Sequence, residues 1–150
     1  MLKVYLDTNI YYISRIDTKT NSRIIIDAGV NEQIVIIQSD YLFDEMLSLF
    51  KREFGKNVAS LQRKFLLSLT TKIIVYKNEW SEFIEKYREL VADIDDLPHI
   101  CAYICSGADY FTTTNRRLTK MKIKDHVNFI TPKRFVEILE LKSYDTINEI

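Results

Sequence analysis

Residues 34–54, IVIIQSDYLFDEMLSLFKREF, decide the fold class. The run 34–38 is almost entirely β-branched, which is typical of a strand buried on both faces of a parallel sheet. Ser39 then stands at a position suited to a helix N-cap, and the apolar spacing behind it predicts a helix over 40–54 that Gly55 ends. A buried strand that leads directly into a long helix is the repeating unit of an α/β fold.

The same alternation extends along the chain in both directions. Further strands are predicted over 3–6, 72–76, 109–113 and 128–130, and further helices over 21–29, 57–69, 79–92, 97–106 and 132–141. Strands that alternate with helices form a parallel sheet covered on both faces. We therefore predict a single domain over residues 1–150, a three-layer α/β/α sandwich with a central parallel sheet. Its weakly patterned tail, about 142–150, is expected to be mobile or used in a contact.

Composition excludes several classes of protein. Of the 150 residues, 47% are hydrophobic and 28% charged, as in ordinary globular proteins, and the formal net charge of zero does not suit a protein that coats nucleic acid. Cys101 and Cys105 have no partners at zinc-ligand spacing, which favours two reduced thiols. Because no apolar run is long enough to span a bilayer and no basic leader opens the chain, we expect a cytoplasmic protein without a membrane contact.

Oxygen-bearing side chains follow three of the predicted strands. They are Asp7, Thr8 and Asn9 after the first strand, Ser39 and Asp40 after the second, and Thr112, Thr113, Thr114 and Asn115 after the fourth. Ligands of open parallel sheets bind outside the carboxyl ends of the strands, so this rim is the expected site. The sequence contains neither a glycine-rich phosphate loop nor a nucleophile elbow.

Glu45 is unusual for its place on a predicted helix. It falls on the apolar stripe of Leu42 and Leu49, where a lone carboxylate costs several kcal/mol unless it is paired or bound to metal. Asp40 and Asp44 lie nearer the margin of that stripe and are interpreted as ordinary surface charges. Glu45 is therefore the stronger candidate for a functional carboxylate.

The acidic loop 93–96 precedes another predicted helix. Acidic residues before a helix often do no more than favour its positive N-terminus, and only one of these needs to point inward. Asp96 is the best placed, because it should share a helix face with His99. His99 itself fits a proton carrier, a partner of a ligand or, the favoured interpretation, a partly buried structural histidine.

Asp7, Glu45 and Asp96 come from three separate elements that a doubly wound sheet can bring together. Asp7 alone fits a helix cap as well as a catalytic residue. Three clustered carboxylates repel one another and raise each other's pKa unless a cation compensates. Mg²⁺ and Mn²⁺ prefer such an all-oxygen environment, and the matching reaction is metal-assisted hydrolysis of a phosphodiester.

Three stretches of the sequence resemble PIN-domain nucleases. VYLDTN at 4–9 is similar to their opening strand, DLPHICA at 96–102 followed by SGADYFTTTNRRL at 106–118 to their second-half signature, and NFITPKRF at 128–135 to their closing strand and helix. The resemblance extends to about Leu141. It implies a parallel sheet between helices and Mg²⁺- or Mn²⁺-dependent cleavage of RNA.

The resemblance also implies roles for individual residues. It places the family's first three acids on Asp7, Glu45 and Asp96. The fourth acidic position falls on Asn115, which offers a carbonyl oxygen but no charge, so we expect weaker metal affinity. Residues expected to orient the ligands are Asn9, Ser39, Thr112 and Thr113.

Basic residues follow Asn115, where they could hold an RNA backbone beside an acidic site. Arg116, Arg117 and Lys120 are the predicted RNA-binding residues; a second basic cluster surrounds Arg52. Many small PIN proteins are VapC-type toxins, so the resemblance allows an antitoxin partner and a homodimer.

Two other interpretations remain. A catalytically weak PIN-like module that binds RNA or protein is favoured by Asn115 and the neutral charge, and disfavoured by the joint presence of Asp7, Glu45 and Asp96. A phosphatase of the same layout would need a nucleophilic aspartate with a supporting lysine, and Lys3 is a poor candidate for that role.

Overall fold

A five-stranded sheet forms the centre of the computed structural model, which describes residues 1–145. The strands are β1 (Lys3–Leu6), β2 (Val35–Ser39), β3 (Lys72–Val75), β4 (Tyr110–Thr112) and β5 (Phe129–Ile130). Their order in the sheet is β3-β2-β1-β4-β5, and every neighbouring pair is parallel. The predicted parallel sheet is confirmed. All five carboxyl ends therefore lie at one edge.

Helices cover both faces of the sheet. They are α1 (Thr8–Ile16), α2 (Asn21–Val30), α3 (Asp40–Phe54), α4 (Lys56–Ser68), α5 (Lys77–Trp80), α6 (Ile84–Tyr87), α7 (Leu97–Ser106) and α8 (Pro132–Ile138). Because side chains alternate along a strand, Val4 and Leu6 enter one core and Tyr5 the other. The first core lies beneath α1 to α4 and α8, and the second beneath α5 to α7. This arrangement is the predicted three-layer sandwich.

Several predicted helix ends are confirmed. The Ser39 hydroxyl accepts a hydrogen bond from Leu42 N at 3.0 Å and caps α3. Gly55 and Gly107 follow α3 and α7 with positive φ angles of 93° and 67°, which glycine adopts without steric cost. α2 approaches the sheet so closely that a Cβ atom on Gly29 would collide with the side chain of Ile36.

Other elements differ from the sequence prediction. α1 was not predicted, and the predicted helix 79–92 is broken into α5, α6 and two 3₁₀ turns. Trp80, Tyr87 and Val91 are nevertheless buried, so the apolar stripe identified the core face but not the helix geometry. The predicted helix 132–141 ends earlier, because the backbone turns to a positive φ of 60° at Glu140.

The tail begins with a contact. Tyr144 N donates to Asn21 Oδ1 at 2.8 Å, and Asn21 Nδ2 donates to Tyr144 O at 2.9 Å. The rest of the predicted tail, 146–150, lies outside the described residues. Cys101 and Cys105 are free thiols, as predicted. Within residues 1–145, no helix combines the length and apolarity that crossing a membrane would require.

Candidate active site at the carboxyl edge of the sheet

A pocket of about 390 Å³ opens at the carboxyl edge of the sheet. Its lining residues, which we call the acidic pocket, are Asp7, Thr8, Asn9, Glu45, Ser48, Leu49, Arg52, Asp96 and Asn115. The junction between β1 and α1, the helix α3, the N-cap of α7 and the loop after β4 each contribute to it. The structure thus brings together the four predicted ligand positions and Asn9, although they are far apart in the sequence.

Asp7 is held by the loop that follows β4. Thr113 Oγ1 donates to Asp7 Oδ2 at 2.7 Å and accepts from Asn115 N at 2.9 Å. Asp7 occupies the N-cap position of α1, but its side chain makes no capping hydrogen bond. The carboxylate is therefore not used as a helix cap. The hydroxyl of Thr113 holds it instead.

Glu45 is paired rather than isolated. Its carboxylate accepts hydrogen bonds from the hydroxyl of Thr8 and from Nε2 of His99, which lies 3.2 Å from both carboxylate oxygens. Burial raises the pKa of Glu45, but the hydrogen bond and charge of His99 and the hydrogen bond from Thr8 outweigh burial. The pKa of Glu45 is therefore lower than that of an ordinary glutamate, and the ionised form is favoured.

The partners of Glu45 continue into the core. His99 is 5% exposed, and its Nδ1 atom lies 2.6 Å from the hydroxyl of Tyr5. Tyr5 OH lies 3.0 Å from Ser39 Oγ. Ser39 does not line the acidic pocket. Hydrogen bonds through Tyr5 and His99 connect it to Glu45. The sequence interpretation missed Tyr5. The visible signal was a tyrosine between Val4 and Leu6, the two aliphatic residues of β1.

Asp96 has a different environment. Its Oδ2 atom is buried without a hydrogen-bond partner among the described residues, and Arg117 Nη2 is 4.0 Å away. Burial, the charge of Asp93 and the charge of Asp7 raise the pKa of Asp96, and His99 and Arg117 offset part of this increase. The negative charge of Asp96 is therefore only partly compensated.

Asn115 and Thr112 were predicted to belong to the site, whereas Asp40 was not, and all three have surroundings that the sequence did not predict. Asn115 Oδ1 accepts from Arg117 N at 3.0 Å, which fixes the turn behind β4. Thr112 is buried, with its hydroxyl unpartnered among the described residues, and it lies outside the acidic pocket. Asp40, interpreted from sequence as a surface charge, accepts from Lys77 N and Trp80 Nε1 at 2.9 and 2.8 Å. It therefore ties α3 to α5.

A second cavity, of about 430 Å³, adjoins the acidic pocket at Asn115. Its lining residues, which we call the basic cavity, are Thr113, Thr114, Asn115, Arg116, Thr119, Thr131, Pro132, Lys133, Arg134 and Glu137. Among the predicted RNA-binding residues, Arg116 lies here, whereas Arg117 pairs with Asp93 at 3.5 Å. Lys120 is exposed and lines neither cavity.

Comparison with known proteins identifies the fold. Neither a family model nor a curated protein matches the sequence. Among solved structures, VapBC2 from Rickettsia felis, bound to a DNA fragment from their promoter, superposes with a TM-score of 0.61 at 15% identity. The match covers 87% of this chain and 98% of that one. The chain has the VapC-like PIN-domain fold.

Two further structures agree with that identification. VapBC-1 from nontypeable Haemophilus influenzae gives a TM-score of 0.59 at 14% identity, covering 87% of this chain and 98% of that one. VapC20 from Mycobacterium tuberculosis, a toxin that cleaves the sarcin–ricin loop, gives 0.52 at 15% identity, covering 72% and 86%. At these identities the likeness extends to the PIN fold and not to individual residues.

The acidic pocket of this PIN fold fits a hard divalent cation by its chemistry. Three carboxylates line it, and an unpartnered buried oxygen on Asp96 leaves negative charge to be compensated. Within residues 1–145, however, no three histidine, cysteine, aspartate or glutamate side chains are arranged to hold an ion. Binding by all three carboxylates therefore requires side chains to move from the positions seen here.

Proposed function

We propose that the protein is a divalent-metal-dependent endoribonuclease that hydrolyses RNA phosphodiester bonds at the acidic pocket. The observation that carries this proposal is the meeting of Asp7, Glu45 and Asp96 at the carboxyl edge of a VapC-like PIN fold. A neighbour of the same fold, VapC20, is a toxin that cleaves the sarcin–ricin loop.

Asp7, Glu45 and Asp96 would hold Mg²⁺ or Mn²⁺, and Asn115 would contribute a neutral oxygen. The cation would supply an activated water and neutralise charge on the phosphate and the leaving oxygen. The chain's own residues prepare the site. Thr113 holds Asp7, while Thr8 and His99 hold Glu45 in its ionised form.

RNA must approach three carboxylates that repel it, so cations are needed beside the pocket. The basic cavity supplies Arg116, Lys133 and Arg134 at the boundary marked by Asn115. Arg116 makes no ion pair among the described residues, and the Lys133–Asp145 contact is long, at 3.9 Å. We therefore extend the RNA-binding surface from Arg116 into this cavity and give Arg117 and Lys120 a lesser part.

The biological setting is part of the same proposal. Two of the structural neighbours are VapBC complexes. By analogy, the protein would be a cytoplasmic toxin that forms a homodimer and binds an antitoxin.

A second candidate function is an RNA- or protein-binding module without efficient catalysis. Asn115 in place of a fourth acid favours it, as does the lack of a ready three-ligand cluster among the described residues. The two functions differ in one respect: a binding module retains RNA without cutting it when Mg²⁺ or Mn²⁺ is present.

A labelled RNA pool incubated with Mn²⁺, Mg²⁺ or a chelator tests the proposal. We expect metal-dependent cleavage that Asp7→Asn reduces by about a hundredfold or more, since metal catalysis contributes several kcal/mol. Asp44→Asn is the matched control, because Asp44 is exposed on the solvent side of α3. RNA binding without metal-dependent cleavage would support the binding module instead.

A further inference from the structure

A chain of hydrogen bonds joins Ser39 to Glu45 through the second core. Ser39 Oγ lies 3.0 Å from Tyr5 OH, Tyr5 OH lies 2.6 Å from His99 Nδ1, and His99 Nε2 lies 3.2 Å from Glu45. The first three side chains are buried, and Glu45 is 39% exposed. This series of hydrogen bonds therefore ends at the acidic pocket.

The direction of these hydrogen bonds follows from the donors and acceptors present. Ser39 Oγ already accepts from Leu42 N, so its hydroxyl proton needs an acceptor, and within residues 1–145 that acceptor is Tyr5. Tyr5 therefore accepts from Ser39 and donates to Nδ1 of His99.

At the other side of the ring, Nε2 of His99 carries a proton. An ionised carboxylate can only accept hydrogen bonds, and Nε2 is equidistant from the two oxygens of Glu45. When the ring is neutral, Nδ1 accepts from Tyr5, and every proton in this series of hydrogen bonds points towards Glu45. The alternative direction would leave the buried Ser39 hydroxyl without an acceptor among the described residues.

Packing holds the imidazole ring in this orientation. Tyr5 meets it edge-on, with ring centroids 5.7 Å apart, and Tyr41 meets it edge-on at 5.0 Å. The ring is 5% exposed, so it has little room to turn. A hydrogen bond from a fixed ring restricts the carboxylate that receives it.

We propose that Tyr5 and His99 are positioning residues that orient the Glu45 carboxylate to receive a divalent cation. This inference rests on the proposed function, because it gives the hydrogen-bond chain a purpose at the metal site. Partners that orient metal-binding carboxylates contribute about tenfold to a hundredfold in metal affinity or activity. A chain that merely satisfies buried polar groups would contribute nothing to cation binding.

The tautomer of His99 tests the direction of these hydrogen bonds and can be measured without RNA or metal. Two-bond ¹⁵N–¹H NMR spectra of the neutral ring should show the proton on Nε2. A wild-type ring protonated on Nδ1 would overturn the inference, whether or not the protein cleaves RNA.

Mn²⁺ titration calorimetry tests the positioning role. We expect Tyr5→Phe and His99→Phe to weaken Mn²⁺ binding about tenfold, and His99→Gln, which keeps an N–H donor, to recover part of the loss. Tyr103→Phe is the matched control, because Tyr103 is buried in the same core but its hydroxyl accepts from Asn128 N, at 3.2 Å.

Each result separates the two proposals. If folded Tyr5→Phe and His99→Phe proteins bind Mn²⁺ as the wild type does, the chain is structural and the inference is wrong. If wild-type protein binds no Mn²⁺, the proposed function is wrong, and Tyr5 and His99 have no cation for which to position Glu45. Partial recovery by His99→Gln, with Tyr103→Phe unchanged, supports the inference.

Discussion

The acidic pocket and the basic cavity lie side by side at one edge of the sheet, yet they are built differently. Acidic side chains come from the end of β1, from α3 and from the N-cap of α7, and the partners of Asp7 and Glu45 (Thr113, Thr8 and His99) are buried. Basic side chains come from the segment after β4 and from α8, and the ion-pair partners of Lys133 and Arg134 are exposed. In the proposed function, buried partners hold individual carboxylates, and the exposed basic side chains adapt to the RNA backbone.

Removing the positive charges of the basic cavity should have the largest effect of the predictions that compare the two cavities, and it should act on RNA affinity. Substituting Arg116, Lys133 and Arg134 together with Gln should weaken RNA binding on the order of tenfold and leave Mn²⁺ binding unchanged. The slope of log affinity against log salt should fall by about 0.7 for each phosphate that the protein no longer neutralises. Fluorescence anisotropy with labelled RNA over a range of salt concentrations measures both quantities.

A control of equal charge sharpens that test. Substituting Lys120, Lys122 and Lys124 with Gln removes the same charge from a neighbouring exposed segment. It should have a smaller effect on RNA affinity. Equal decreases from the two triple substitutions would show that net charge, not the basic cavity, holds the RNA.

Asn115 belongs to both cavities and should give an intermediate effect. Asn115→Asp adds a charge to the acidic pocket and should tighten Mn²⁺ binding about fivefold, since a further unit charge near a divalent ion contributes on the order of a kcal/mol. Calorimetry with Asn115→Ser as a neutral control measures this. Unchanged affinity would mean that this side chain, whose Oδ1 accepts from Arg117 N, stays turned away from the ion.

The smallest effects concern stability without metal. Glu45→Gln should lower the free energy of unfolding by less than about 1 kcal/mol, because glutamine keeps one acceptor oxygen and the lost charge lay at a partly exposed site. Asp96→Asn should increase stability, because it removes a charge with a raised pKa. Thermal melts in chelator measure both changes. If both substitutions changed the stability in the same direction, the contrast between these two carboxylates would be wrong.

The pH dependence follows from the same pKa directions. Since folding lowers the pKa of Glu45, its stabilising contribution is present at neutral pH and is lost as the pH falls through the folded-state pKa. The difference between wild type and Glu45→Gln should therefore shrink in acid. Folding raises the pKa of Asp96, so its penalty is present at neutral pH and disappears as the pH falls.

The sequence predicted the parts of this molecule that depend on local pattern. β-branched runs located the strands, and the residues at their ends, together with the apolar stripe around Glu45, located the acidic pocket. Interactions between distant segments were harder to predict. Tyr5 joins His99 across 94 positions in the chain, and the basic cavity forms only when the segment after β4 meets the start of α8. No local spacing marks either interaction.

An anomalous difference map from crystals soaked in Mn²⁺ tests the central claim most directly. We expect a peak in the acidic pocket within bonding distance of carboxylate oxygens of Asp7, Glu45 and Asp96, with those side chains drawn together around it. Peaks found only elsewhere, for example on the exposed loop 93–95, or an acidic pocket that remains empty at saturating Mn²⁺, would contradict it.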